Sequence, residues 1–533
     1  MLSANLLKRG HKVRPTPPLP KTDLMRNATA KVIVITHAYP PARTGIRHLL
    51  PGLKIYHLPL PVLVSAATLP NYFAFLPYLR NILLREHVHL VHAHAALSSL
   101  GQEALLHAHL LGVRTVFTDH SLFGFEDAAA ILTNKLLEAA LRSVDAVVCV
   151  SHTARENTVL RGQLFDPSPL PDGGMTVRDN VYVIPNAFVP DQFRPADVPL
   201  PTDTVTIVVV SRLAYRKGID LLIAAAPHIC ARWPQVHFIV GGDGPKLGDL
   251  LQMRERHRLE ERIELLGPVR HAEVRDILTR GHIFLNSSLT ESFGIGLLEA
   301  AACGLYVVAT RVGGVPEVLP PDMIAFCRPE VGGPGGMVEV VGEAVRRVSV
   351  RAGTGVGEGI VGADANTRTG TADGPDGEVV GGAGAWEGDR EGSGVAEEGE
   401  EHVKRQRRDE DGEHPREQPW DRHAAHAHVR AFYDWAEVAR RTEAVYEAVM
   451  RTEALSLWER IVRTMSLGPF AGLIYTAILI VDCLFFLVLE WAAPREDIDY
   501  VRMGWDRGAF QALAHRAEAR EGHGEETEAR KGD

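Results

Sequence analysis

Residues 206–220 read Thr-Ile-Val-Val-Val-Ser-Arg-Leu-Ala-Tyr-Arg-Lys-Gly-Ile-Asp. The run Thr206–Val210 is short, β-branched and apolar on both faces, the pattern of a buried parallel strand. Arg212 leaves the end of that strand, and Lys217-Gly218 opens the helical stretch that follows. Two cations therefore stand near the positive end of a helix, an arrangement that suits a diphosphate. Taken alone, Arg212 reads equally well as a charge on an exposed turn.

Working outward, the same alternation of short apolar runs and helical stretches continues on both sides. Upstream, Lys31–Thr36, His89–His94, Thr115–Thr118 and Ala146–Val150 read as strands, with amphipathic segments Tyr72–Glu86 and Asn134–Leu141 between them. Downstream, His237–Val240, Arg262–Leu265, Ile283–Asn286 and Tyr306–Ala309 repeat the pattern. It restarts after Val183-Ile184-Pro185-Asn186, so two doubly wound α/β domains are expected, over 1–190 and 200–352. Ligands of such sheets bind beyond the carboxyl ends of the strands, so two facing domains form a cleft.

Beyond Ile283–Asn286, Glu291 and Glu299 are eight positions apart. If a helix carries both, that is a little over two turns, and they share a side. Carboxylates accept two hydrogen bonds per oxygen and suit hydroxyl-rich ligands. The pair gains weight only beside Arg212 and Lys217. His92 and His94 alternate out of a strand; without a third ligand nearby, ordinary structural histidines are the expected reading.

The 533 residues are 45 % apolar and 23 % charged, which excludes a wholly disordered or multi-span chain. The net charge of −10 argues against nucleic acid. Five scattered cysteines with no C-x-x-C pair give no disulfide framework or zinc site, and suit a reducing compartment. Segment 353–419 holds 17 acidic and 7 basic residues, leaving 50 of each sign elsewhere, so it alone carries the surplus. It is Gly-rich and nearly free of aromatics, and is expected to be a disordered insertion. Order is expected to resume with a returning helix at 426–452 that packs across the first domain. Residues 468–489 are apolar on every face except at Asp482, and are long enough for a transmembrane helix. Asp482 is costly in lipid and needs a helix to face. Arg460 and Arg463 precede the span; Glu490, Glu496, Asp497 and Asp499 follow it in a polar tail, 490–533, so everything before the span is expected in the cytosol. Met1–Lys12 lacks the apolar core of a signal peptide.

The blocks SRLAYRKG (Ser211–Gly218), GGDGP (Gly241–Pro245), LTESFGIGLLEAAACG (Leu289–Gly304) and VGGVPEVL (Val312–Leu319) resemble retaining nucleotide-sugar glycosyltransferases of the GT-B fold, family 4. TDHSLFGFED (Thr118–Asp127), NKLL (Asn134–Leu137), ENTVLRG (Glu156–Gly162) and GHIFLNSSLTE (Gly281–Glu291) are more specific. They resemble the family of catalytic subunits that transfer N-acetylglucosamine to phosphatidylinositol, the first step of glycosylphosphatidylinositol-anchor synthesis. The likeness runs from about His37 to Pro329, then through Phe432–Val449 and the span.

That resemblance implies a set of roles. Arg212 and Lys217 would bind the diphosphate of UDP-GlcNAc and offset the charge that builds as UDP leaves. Glu299 would hold the ribose and Glu291 the donor-sugar hydroxyls. His120 would stand beside the sugar at the reacting centre, and Gly313, Gly314 and Pro316 would shape the uridine-side turn. No cofactor or metal is implied, since the cations replace it. Phosphatidylinositol, the membrane and other subunits of a transferase complex are the implied partners, at the endoplasmic reticulum membrane.

The start of the chain departs from the family pattern, which opens with a strand and a Gly-Gly loop. Here Leu6–Val13 looks like the end of the following helix and the start of the next strand, and four prolines then interrupt 14–30. A first sheet short of one strand and weak or no activity are the expectations. The rival readings are a family 4 transferase with another donor or lipid, such as a mannosyltransferase, and an inactive membrane scaffold.

Overall fold

The computed structural model describes residues 31–349 and 420–501 apart from 40, 51, 65–66, 69, 124–127 and 167–173, together with Leu2 and Leu6. The acidic insertion, the proline-rich stretch and most of the polar tail lie outside those residues.

In the first lobe, β1 (Val32–His37) pairs parallel with β3 (Leu53–Leu58), and β2 (Gly45–Leu50) adds an antiparallel edge. A small hairpin, β4 (Val62–Val64) and β5 (Ala67–Thr68), leads to α1 (Tyr72–Arg85). Then β6 (Leu90–His94), α2 (Ser99–Ala108), β7 (Arg114–Asp119), α3 (Ala128–Leu141), β8 (Ala146–Cys149), α4 (His152–Gly162) and β9 (Val181–Val183) follow. Strands β6 to β9 pair in sequence order as a second, parallel sheet. Among the described residues no strand joins the two sheets, and all six positions of β1 are only half-buried. One apolar core underlies both: Ile33 and Ile35 of β1 and Val91 of β6 pack on buried Tyr56, Phe75, Leu79 and Ala108.

The second lobe is one six-stranded parallel sheet. Its elements are β10 (Val205–Val210), α5 (Ile219–Arg232), β11 (Val236–Gly241), α6 (Leu247–Arg256), β12 (Ile263–Gly267), α7 (Val274–Leu278), β13 (Ile283–Asn286), α8 (Ile295–Ala302), β14 (Tyr306–Thr310), β15 (Ile324–Cys327) and α9 (Met337–Ser349). The strand order β12-β11-β10-β13-β14-β15 reverses direction between β10 and β13. Crossovers leave to opposite faces at that point, so the loops after these two strands part and leave a crevice.

The expected single returning helix is two helices. α10 (Arg422–Phe432) packs on α8, with His426 Nδ1 2.8 Å from Ala302 O, and α11 (Trp435–Arg451) crosses to the first lobe. The break has a local cause: the Asp434 side chain caps α11, accepting from Ala436 N at 3.1 Å. Tyr433 OH donates to Val318 O at 2.8 Å and pins the corner. From α11, Val438, Val445 and Val449 join Val116, Ala146 and Val148 in the core.

α12 (Leu457–Met465) leads to α13 (Ala471–Ala492), the apolar helix, which starts three residues later than expected because Gly468 turns at φ 108°. It has the length and composition to cross a membrane. One stripe of it, Gly472, Thr476, Leu479, Asp482 and Phe486, is buried, while Leu473, Ile474, Leu484, Leu487 and Trp491 stand exposed. Asp482 finds its partner within this chain: His107 Nδ1 of α2 lies 2.9 and 3.0 Å from its two oxygens. Glu490 likewise accepts from Arg80 Nε of α1 at 2.6 Å, and Phe485 meets Phe73 edge-on at 5.3 Å. Arg460, counted above as a flanking charge, is buried and donates to Leu106 O at 3.2 Å.

Candidate active site

The crevice between β10 and β13 is where the sequence motifs meet. Ser287 Oγ donates to Lys217 O at 2.9 Å and Leu289 N to Arg216 O at 3.0 Å, tying the two loops together. Gly218 caps α5 with φ 65°, and a β-carbon there would fall 1.7 Å from Ser287 O. Only glycine can stand at that contact. The Lys217 ammonium pairs with Glu291 Oε2 at 2.6 Å, beside Ser288 Oγ at 3.4 Å. Arg212 is exposed at the end of β10, with no ion pair among the described residues.

Glu291 and Glu299 do not share one helix, contrary to their spacing. α8 begins only at Ile295, because Gly294 caps it in the left-handed region at φ 88°. Glu291 therefore sits in the preceding loop, and Glu299 alone rides the helix. The Glu299 carboxylate has no hydrogen-bond partner among the described residues. Burial raises its pKa above the ordinary carboxylate value, with His271 opposing.

The first lobe supplies the opposite wall. β7 ends at Asp119, and His120 follows at the mouth of the cleft. Asp119 is fully buried and accepts from Ser121 N at 2.9 Å and Thr158 Oγ1 at 3.0 Å, with Arg161 Nη1 at 3.4 Å. Arg161 also donates to Asn134 Oδ1 at 2.6 Å and lies 4.6 Å over the Phe123 ring, whose backbone Asn157 bridges. Three separate sequence blocks thus close on one buried guanidinium, which stiffens the loop that presents His120.

His120 reaches both lobes. Its carbonyl accepts from Ser292 Oγ, next to Glu291, at 2.6 Å, and its Nε2 lies 3.2 Å from His94 Nδ1. Desolvation lowers the His120 pKa, with Asp119 opposing. His92 and His94 have hydrogen-bonding work: His92 meets Tyr446 OH and Thr118 Oγ1, each at 2.6 Å.

Several contacts here escape sequence reasoning. Ser151 Oγ donates to Ser292 O at 2.6 Å. Glu317 accepts from His152 N at 2.6 Å and Thr153 N at 2.9 Å, so the second lobe caps α4 of the first. Gly314 permits this seam, since a β-carbon there would lie 2.2 Å from Ser292 O and 2.6 Å from Ser151 Oγ. Gly313 similarly abuts Glu291 O, and Pro316 stands in the short turn Val315–Glu317. These residues therefore have a packing reason at the seam between the lobes, independent of any uridine.

The family model described as PIGA (GPI anchor biosynthesis) matches residues 37–127, and that for group 1 glycosyl transferases matches 204–332. The phosphatidylinositol N-acetylglucosaminyltransferase gpi3 subunit of Schizosaccharomyces pombe is 41 % identical over 469 residues, 88 % of this chain and 85 % of its own. The phosphatidylinositol N-acetylglucosaminyltransferase subunit from Arabidopsis thaliana is 40 % identical, covering 88 % of this chain and 86 % of the relative. Its counterpart from Homo sapiens is also 40 % identical, covering 88 % and 80 %. With both lobes and most of each relative's length matched, this chain belongs to the PIGA/GPI3 family of phosphatidylinositol N-acetylglucosaminyltransferase subunits, within the group 1 glycosyltransferases.

Proposed function

We propose that this chain transfers N-acetylglucosamine from UDP-GlcNAc to the inositol of phosphatidylinositol, with retention at the anomeric carbon, as the first step of glycosylphosphatidylinositol-anchor synthesis. The names of its relatives support the reaction. One observation carries the assignment to residues: the Lys217–Glu291 pair lies at the β10/β13 crevice, and Ser292 ties that loop to His120. A diphosphate entering the crevice meets Arg212, Lys217 and the N-terminal amides of α5. It displaces Glu291 from Lys217, and the freed carboxylate turns to the sugar hydroxyls. Glu299 accepts from the ribose diol, and His120 faces the reacting centre. As the bond to the diphosphate breaks, fixed cations offset the growing charge without reorganising.

The acceptor is a lipid, and a 22-residue apolar helix is long enough for a hydrocarbon core of about 30 Å. Membrane residence brings enzyme and acceptor together at high effective concentration. The reading extends to a single-pass protein of the endoplasmic reticulum with a cytosolic cleft, working with further subunits of a transferase complex.

The test replaces the resident subunit of a yeast strain with the full chain and feeds its membranes labelled UDP-GlcNAc or GDP-mannose. Label passing from UDP-GlcNAc to phosphatidylinositol, and lost in Lys217→Met and Glu291→Gln, is the expected result. Label from GDP-mannose instead favours the mannosyltransferase reading. A complex that assembles without any transfer favours the scaffold.

A further inference from the structure

Behind His120 lies an imidazole ladder that the transfer chemistry above leaves unused. His94 sits at the last position of β6, opposite Thr118 of β7. Its ring stacks between His92, at 4.3 Å and 23°, and His120, at 5.5 Å and 17°. The contact with His120 is polar as well as stacked, His94 Nδ1 lying 3.2 Å from His120 Nε2, whereas His92 meets His94 by stacking and bonds through its two nitrogens to Thr118 and Tyr446. Tyr446 belongs to α11, whose apolar face is fixed in the first-lobe core. The next residue, Ala95, has φ 69°, an uncommon conformation for a residue with a β-carbon, and it turns the chain sharply after His94.

The protonation logic follows from this placement. Desolvation, helped by the neighbouring His120, pushes His94 down to about 4, and His92 is also held well below its ordinary value. Both rings are therefore neutral near pH 7. A contact between two neutral imidazole nitrogens requires one N–H and one lone pair. Whichever tautomer His94 holds thus decides which nitrogen of His120 carries its proton.

We propose that His94 is a positioning residue for the transfer reaction: through Nδ1 it fixes the ring orientation and tautomer of His120, and Tyr446 holds the ladder from behind through His92. The proposal deepens the functional reading given above and rests on it for the role of His120. The ladder also links the cleft to α11, through Tyr446.

The experiment uses the full chain in yeast membranes. His94→Phe keeps a stacking ring and deletes the nitrogen, while His94→Asn keeps a polar group near the place of Nδ1. The Phe variant is expected to lower kcat roughly 10–100-fold, as loss of an orienting partner does, with KM for UDP-GlcNAc within about twofold. The Asn variant should recover most of the loss. In a His120→Ala background, His94→Phe should cost nothing further, because His94 acts through His120. Wild-type kcat in His94→Phe, or the same loss with and without His120, overturns the proposal. If the wild type transfers no GlcNAc, the functional reading falls first. The ¹⁵N shifts of the His120 ring then still decide this one, since an unchanged tautomer in His94→Phe overturns it.

Discussion

The two lobes obey one folding rule and are held together differently. In the second, β13 and β14 are buried almost throughout, and Leu297, Leu298, Ala300 and Ala301 of α8 close over them with almost no exposure. Its buried polar side chains, Ser287, Ser288 and Thr310, gather at the carboxyl ends of the strands, where the candidate site lies. In the first lobe, the two sheets share a core but, among the described residues, no ladder, and buried ions bridge the elements. Asp119 meets Arg161; Glu86 gathers Lys31, Lys54 and Tyr56; Asp145 takes Arg114 at 3.0 Å and Thr115 N at 2.8 Å. Apolar burial is tolerant of small changes of shape, whereas a buried pair that loses one member leaves an uncompensated charge. The second lobe should therefore yield by degrees and the first abruptly.

The largest effect is expected at the first lobe's central guanidinium. Arg161→Met leaves Asp119 buried without its cation and should cost about 3–5 kcal/mol in denaturant unfolding. Adding Asp119→Leu should return much of that, and a single-variant cost below about 1 kcal/mol would remove the contrast between the lobes. In the second lobe, Gly218→Ala forces a left-handed residue against Ser287 O and should cost about 1–3 kcal/mol. UDP-induced thermal protection should vanish with it, and a normal UDP response would show that the crevice is not the donor site. Glu317→Ala removes the cap across the seam. About 1 kcal/mol or less is expected for so exposed a carboxylate, with a larger radius of gyration in X-ray scattering as the lobes part.

Glu299→Gln should give the smallest change, and in opposite directions for folding and binding. A carboxyl whose folded pKa is raised adds stability below its unfolded value, and that stability is lost as pH rises through the folded one. At neutral pH the ionised group is thus a small burden, so the amide variant should melt slightly higher without ligand. It should bind UDP more weakly, since an amide accepts fewer hydrogen bonds than a carboxylate. In the wild type, UDP affinity should begin to fall at a higher pH than an ordinary carboxylate dictates. Titrating affinity against pH in both proteins checks the sign.

Legibility followed the same division. Every strand expected in the second half is present within about two residues, because parallel strands buried on both faces read as unbroken apolar runs. The short β15, after Pro320-Pro321, escaped that filter, as did β2, whose six residues are all exposed. Lys217 and Glu291 were found as members of motifs, yet their pairing depends on which strands are neighbours. The helical argument for Glu291 and Glu299 failed on one glycine, Gly294, whose effect on the helix start is a matter of φ. Asp119, Asn134, Asn157 and Arg161 lie in three separate blocks, and nothing along the chain announces that they touch. Asp482 advertised its need for a partner; that the partner is His107, 375 positions away, is information only the fold contains.

That last contact bears on how the protein meets its acceptor. An anchor joined by a slack leash would let the catalytic body swing freely above the lipid. Here Asp482 and Glu490 bolt the helix along the flank of the first lobe, like a keel. If the helix enters a bilayer with these contacts kept, that flank of the first lobe enters with it, and the cleft is held at a fixed height and tilt relative to the headgroups. Turnover should then respond to the thickness of the surrounding membrane.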